Sequence, residues 1–180
     1  MRRALVIAIG IAALGALSGV AAYERAGPRA GEWQEIAWPF PRDGWRAGKA
    51  FRCGAAVCGQ EVEVYVRPKI GFCNCDIGVA DDDEVDRVAD LDLMSERFVP
   101  REAGEVVRIA DMPGRIRAYD LTMSDGSRYT AVGIAVSHRC DLLVAVAKGS
   151  GDARGVQHAA LVFLATDKMT SWMVAAMDGR

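Results

Sequence analysis

Five cysteines and two histidines hold most of the reactive chemistry open to this chain of 180 residues: Cys53, Cys58, Cys73, Cys75 and Cys140, with His138 and His158. Thiols that can reach one another in an oxidising compartment form disulfides. Cys53 and Cys58 enclose four residues at an expected hairpin, a reach that suits a bridge where the turn brings the Cα atoms within about 7 Å. Cys73 and Cys75 flank a single residue, and a bridge between them would be strained, so each is expected to pair elsewhere, with Cys140 one candidate. The number is odd, so at least one thiol stays free or pairs outside the chain. A structural staple, contributing about 2–4 kcal/mol, is the favoured reading of these sulfurs. The sharper alternative is a metal site. Cys73, Cys75, His138 and Cys140, with Cys53 and Cys58 in reserve, are soft ligands suited to copper(I) or zinc, but their spacings do not match the paired C-x2-C of a zinc ribbon. A redox role is the third reading, and it lacks a C-x-x-C motif.

Other catalytic arrangements do not assemble from the sequence. There is no G-x-S-x-G elbow. Ser137 and His138 are neighbours, and neighbours in a strand point to opposite faces, which makes a poor nucleophile and base. His158 reads as a solvated residue on a helix surface. Gly149-Ser150-Gly151 reads as a turn, because no lysine–serine pair follows at the offset a phosphate loop requires. No residue is therefore assigned a catalytic role, and no cofactor beyond copper or zinc is implied.

Which chemistry applies depends on the compartment, and the N-terminus speaks to that. Arg2 and Arg3 open the chain, and no other charge appears before Glu24. Residues 4–22 between them are apolar apart from small Gly and Ser residues. A basic start, an apolar stretch and small residues at Val20 and Ala22 describe a signal peptide cleaved after Ala22. At about 1.5 Å per residue the same stretch is long enough for an uncleaved membrane anchor. Either route delivers the domain to the periplasmic side of a bacterial cytoplasmic membrane, soluble or tethered there. Removing residues 1–22 from the 180 leaves 158, enough for one domain, and takes the formal charge from −2 to −4. A mildly acidic chain with no basic stripe is a poor nucleic-acid binder.

Residues 23–46 form a polar tether and an aromatic strap. Trp33, Trp38, Phe40 and Trp45 lie around Pro39 and Pro41, which exclude a helix interior, so the strap is extended and its aromatics are expected to pack on the domain. Residues 47–180 read as a single domain. KAFRC and EVEVYVRPKIGF form a strand pair, the second alternating Val62, Val64 and Val66 toward a core against Glu61, Glu63 and Tyr65 toward solvent. Acidic residues from Asp81 onward fill the first turn of a helix, with Val85, Val88 and Ala89 on its apolar face. EVVRIADM is expected to end at Pro113-Gly114. RIRAYDLTM and RYTAVGIAV form a hairpin around Asp125-Gly126, and DLLVAVAKG is a buried strand. Asp152 caps a final helix with Val156, Ala159, Ala160 and Phe163 inward, breaking near Thr166-Asp167.

This pattern predicts an α+β fold: a largely antiparallel sheet with two helices, preceded by the N-terminal signal or anchor helix. The strap sequence PRDGW at 41–45, with DLLVAVAKG through FLATDKMTSW at 141–172, resembles the PsbP-like family. The resemblance would span most of the mature chain, while the cysteine-bearing segment 53–75 departs from it. The cysteine-framed block is similar to uncharacterised exported bacterial proteins. Members of the PsbP-like family serve largely as binding or assembly proteins for membrane complexes. The resemblance thus implies a non-enzymatic protein whose partner is a membrane-associated complex or another periplasmic protein.

Overall fold

The computed structural model describes residues 33–41, 43–71 and 78–179. Alternating apolar residues build eight strands: β1 Gln34–Ile36, β2 Lys49–Cys53, β3 Val62–Lys69, β4 Arg97–Pro100, β5 Glu105–Ile109, β6 Met112–Thr122, β7 Arg128–His138 and β8 Asp141–Gly149. All are antiparallel to their neighbours, in the order β1-β2-β3-β8-β7-β6, and β4 and β5 share the outer edge of β6. The helices are α1 Ala55–Cys58, a single turn, α2 Asp82–Val88, α3 Ala153–Leu164 and α4 Asp167–Met177. The fold is α+β, as the sequence pattern indicates.

Helices α3 and α4 cover one face of the sheet. The Asp152 carboxylate caps α3 by accepting from the Gly155 N–H at 2.9 Å. That places Val156, Ala159, Ala160, Phe163 and Leu164 in the core. The expected break is real: the Thr166 hydroxyl donates to the Phe163 carbonyl at 2.8 Å, and α4 starts one residue later. Met169, Met173 and Met177, four apart, form the inward stripe of α4. Trp33 stacks on Phe163 with ring centroids 4.4 Å apart, and Trp172 packs at the edge of the same cluster.

Helix α2 covers part of the opposite face. Its acidic start is a helix cap, the Asp81 carboxylate accepting from Glu84 N–H at 2.9 Å. Val85, Val88 and Ala89 are buried. The helix sits close because Gly133 on β7 has no side chain: a Cβ there would lie 3.0 Å from Ala89 Cβ and 3.1 Å from Tyr119 Cε2. Asp82 pairs with Arg115 at 2.6 Å and Asp86 with Arg117 at 2.8 Å, while Tyr119 donates its hydroxyl proton to Asp86 at 2.5 Å. A helix row four apart thus meets a strand row two apart.

Three expectations need correction, and one strand was not foreseen. The strap begins as β1, whose Gln34–Ile36 register with Arg52–Ala50 makes it part of the sheet. The edge strand β4, which has only four residues, carries no periodicity that a sequence reading could use. Strand β5 stops at Ile109, and the chain turns at Ala110-Asp111, so Pro113 and Gly114 lie near the start of β6. Proline is accepted there because the β6–β7 ladder begins only at Gly114. Finally, β3 is buried along its whole length. Its polar residues face a second surface that is covered along most of its length.

Candidate functional site

Glu63, Tyr65, Arg67 and Lys69 are spaced by two on β3 and share the face that α2 and the strap cover. All four are buried, with Arg67 only 2% exposed. A buried charge is tolerable only when paired and hydrogen-bonded, so this row has to be met by partners. Arg67 is held between two carboxylates. Asp43 from the strap accepts from Nη1 and Nη2 at 2.9 and 2.6 Å, and Asp90 after α2 accepts from Nε and Nη2 at 2.6 and 2.8 Å. Both are fork-to-carboxylate pairs, the arrangement in which Arg is strongest. Asp90 adopts φ +57°, a left-handed conformation that aims its carboxylate at Arg67 and, at 2.6 Å, at Lys69 Nζ. Lys69 also donates to the Val88 carbonyl at 2.8 Å. The Arg67 guanidinium beside Asp43 holds that carboxyl down at about 2. Burial opposes the charge on Arg67, but hydrogen bonds to Asp90 and Asp43 outweigh it and keep the guanidinium firmly protonated.

The strap aromatics seal this cluster. Trp38 and Phe40 meet the Tyr65 ring edge-on at 6.3 and 5.0 Å between centroids, Arg67 lies over Trp38 and Lys69 over Trp45. Gly48 lets the strap approach, since a Cβ there would fall 2.2 Å from the Val66 carbonyl oxygen. The sequence-expected packing of Trp38, Phe40 and Trp45 is therefore met, with the strap serving as a lid on the charged half of β3.

Toward the other end of β3 the face opens. Glu63 is the hub: Arg52 donates at 2.6 Å, the Tyr65 hydroxyl at 2.6 Å and Lys148 at 2.9 Å. Burial would raise the Glu63 pKa, yet these three donors bring it down to about 2, so it stays ionised. The Tyr65 hydroxyl is pushed up by burial and by its bond to that carboxylate. Lys148 also lies 5.1 Å from the Tyr129 ring centroid. Glu61, Glu63, Tyr129, Lys148, Gly149 and Ser150 line an open depression of about 320 Å³. Arg52 and Glu61 on its rim are half exposed or more. Glu63 is anchored, whereas Lys148 and Arg52 keep N–H groups to spare, Glu61 is held only by an ion pair to Arg52 at 3.6 Å, and the Tyr129 and Ser150 hydroxyls have no hydrogen-bond partner among the described residues. The depression can bind a polar group.

The cysteines divide. Cys53 and Cys58 form a disulfide with Cα atoms 6.1 Å apart. Cys140 is also disulfide-bonded; Cys73 and Cys75, its candidate partners, lie outside the described residues. Of the four proposed metal ligands, Cys140 is thus spent in a bridge, and His138 Nε2 lies 3.9 Å from Asp178 Oδ1. Among the described residues no three His, Cys, Asp or Glu side chains are grouped to hold a metal ion. Ser137 and His138 point apart, Ser137 donating to the Pro113 carbonyl at 3.2 Å, and His158 is exposed on α3. The leader, residues 1–22, lies outside the described residues, and no helix among the described residues is long and apolar enough to cross a membrane. Sequence reasoning missed the polar row on β3 because alternation alone assigns Glu63 and Tyr65 to solvent. The one available signal was the excess of like-phased polar residues continuing to Arg67 and Lys69.

No family model matches the chain, and no curated protein matches it. Solved structures share the general layout at low similarity. A protein of unknown function from Pseudomonas aeruginosa is 12% identical, with a TM-score of 0.42 over 73% of this chain and 91% of that one. CyanoP, the cyanobacterial PsbP of Synechocystis, is 14% identical, with a TM-score of 0.41 over 82% and 79%. LpqN of Mycobacterium tuberculosis, involved in cell envelope biogenesis, is 12% identical, with a TM-score of 0.35 over 83% and 76%.

Proposed function

We propose that this chain is an exported, non-enzymatic binding or assembly protein of the bacterial periplasm, with the open end of the polar sheet face as its partner surface. The observation that carries the reading is the depression around Glu63. Its central carboxylate is fixed by three donors, while Lys148, Arg52, Tyr129, Ser150 and Glu61 around it retain bonding capacity. Preorganised polar groups of mixed sign favour a specific polar partner over a simple counter-ion. Export is supported by the uncharged stretch 4–22 behind Arg2-Arg3 and by the Cys53–Cys58 disulfide, a bond that oxidising compartments maintain. The partner is a membrane-associated complex or another periplasmic protein, met with the chain soluble or anchored by its leader.

The test is a photo-reactive residue placed at Tyr129 in the full chain, expressed in cells that make the protein. A discrete adduct is expected, weakened by Lys148→Glu and absent when the probe sits at His158 on the far helix. Equal labelling from both positions, or a chain retained in the cytosol, would refute the reading. Metal analysis of the same preparation is the parallel check. Stoichiometric copper or zinc together with several alkylatable thiols would replace it with a metal carrier using Cys73, Cys75, His138 and Cys140.

A further inference from the structure

The disulfide sits where it can control more than its own loop. Cys53 is fully buried in the core beneath α3, whereas Cys58, five positions later, is partly exposed. Between them Gly54, Ala55, Ala56 and Val57 are all exposed, and α1 has no buried residue and no side-chain cap. A four-residue helix is far below the length at which a helix sustains itself, so the covalent bond is what holds this turn closed.

Directly after the turn, Gly59 adopts φ +73° and sends Gln60 into a cradle of three glycines. A Cβ at Gly149 would lie 3.2 Å from Gln60 Oε1, one at Gly151 would lie 2.1 Å from it, and one at Gly155 would lie 2.6 Å from Gln60 Nε2. The amide reaches the Asp152 carbonyl only at 3.5 Å, and its Oε1 is buried with no hydrogen-bond partner among the described residues. Shape, and not a strong hydrogen bond, thus keeps Gln60 in place. Asp152 is the cap of α3, and Thr130 donates to the Gly151 carbonyl at 2.9 Å, so the cradle is also the junction between β8 and α3.

We infer that Cys53–Cys58 is a redox-sensitive clasp whose state sets the order of the β8–α3 junction, residues 149–156, through the seating of Gln60. The reductant is a dithiol of the thiol–disulfide exchange class. One of its thiolates bonds to the sulfur of Cys58, the less buried of the two, as the Cys53–Cys58 bond breaks. The electron pair leaves on the Cys53 sulfur, which takes up a proton. The second reductant thiolate then attacks the mixed disulfide, closing the reductant's own disulfide and releasing Cys58, which is protonated in turn. The reduced Cys53 thiol remains in the core as a small apolar side chain, so the sheet persists while the turn and Gln60 come loose. Glu61, Gly149 and Ser150 line the depression, so a partner there would sense the change. That last consequence rests on the proposed binding reading, and the clasp itself does not.

The experiment is hydrogen exchange on the full oxidised chain, the Cys53→Ala/Cys58→Ala double variant and Gln60→Ala, all without reductant so that the Cys140 bridge stays closed. Exchange at 149–156 is expected to rise about tenfold in the double variant with β6 and β7 unchanged, and Gln60→Ala should reproduce the rise with the bridge intact. Unchanged exchange at 149–156 in Gln60→Ala, or acceleration spread evenly over the sheet, would overturn the inference, even where the double variant does not fold. Brief exposure to a monothiol is expected to leave its adduct on Cys58, and an adduct on Cys53 would contradict the exchange step.

Discussion

Val62, Val64 and Val66 turn toward α3 and α4, while Glu63, Tyr65, Arg67 and Lys69, interleaved with them, turn toward the strap and α2. The first face is filled by apolar area, from Phe51 and Phe163 to the methionines of α4, and needs only volume that fits. On the second face an apolar cluster under α2 lies beside the β3 row of charges, each of which requires a particular partner: Asp43 and Asp90 for Arg67, Lys148 and Arg52 for Glu63. Burial can therefore be equally deep on two sides of one strand and respond to different variables. The apolar side answers to side-chain volume, the ionic side to protonation and to the loss of single partners.

The largest effects should separate the faces. Phe163→Ala removes the ring that Trp33 stacks on and Phe51 meets edge-on, and is expected to cost about 3–5 kcal/mol in urea denaturation, by a similar amount at pH 7 and pH 5. Arg67→Ala leaves Asp43 without its cation and Asp90 with Lys69 alone, and is expected to cost about 3–5 kcal/mol as well. Unlike Phe163→Ala, it should open the strap to proteolysis between residues 37 and 48, and equal protease resistance in the two variants would erase the distinction.

A smaller, pH-dependent effect belongs to Glu63 and Asp43. Both are held at about 2 in the fold, below their ordinary 4.5 and 3.8. Depressed carboxyl pKa values add stability that is full above the unfolded values and is lost as pH falls toward 2. Denaturation of the wild type should therefore become easier between about pH 4.5 and pH 2. Glu63→Gln is expected to cost about 2 kcal/mol at pH 7, with the deficit shrinking as the wild type acidifies. A deficit constant across that range would show that Glu63 acts by packing alone. The smallest effect should come from the β5–β6 turn, where Ala110 adopts φ +51°. Ala110→Gly relieves that conformation and is expected to gain about 0.5 kcal/mol in thermal unfolding.

The same division explains what could be read from the sequence. The apolar face was legible: alternation marked β7, a continuous apolar run marked β8, Asp152 marked the start of α3, and Val156, Ala159, Ala160 and Phe163 fell inward. Local chemistry also marked the Asp125-Gly126 hairpin and the Asp81 cap. The ionic face was not legible, because its meaning depends on partners remote in sequence. Asp43 lies 24 residues before Arg67 and Asp90 lies 23 after it. Until those three meet, Glu63 and Tyr65 look like the solvent side of an ordinary strand. Strand β1 was hidden for a similar reason, since its three residues acquire their role only against Ala50–Arg52.

The central claim is that this domain lives oxidised, outside the cytosol, with its strand turn clasped by Cys53 and Cys58. Peptide mass mapping of the chain from its native cells, with thiols blocked at lysis and no reductant added, tests it most directly. The expected result is a Cys53–Cys58 bridge and a second bridged peptide containing Cys140, on a chain that starts after residue 22 or remains in the membrane fraction. Alkylated Cys53 and Cys58 on a chain from the cytosol would contradict the account.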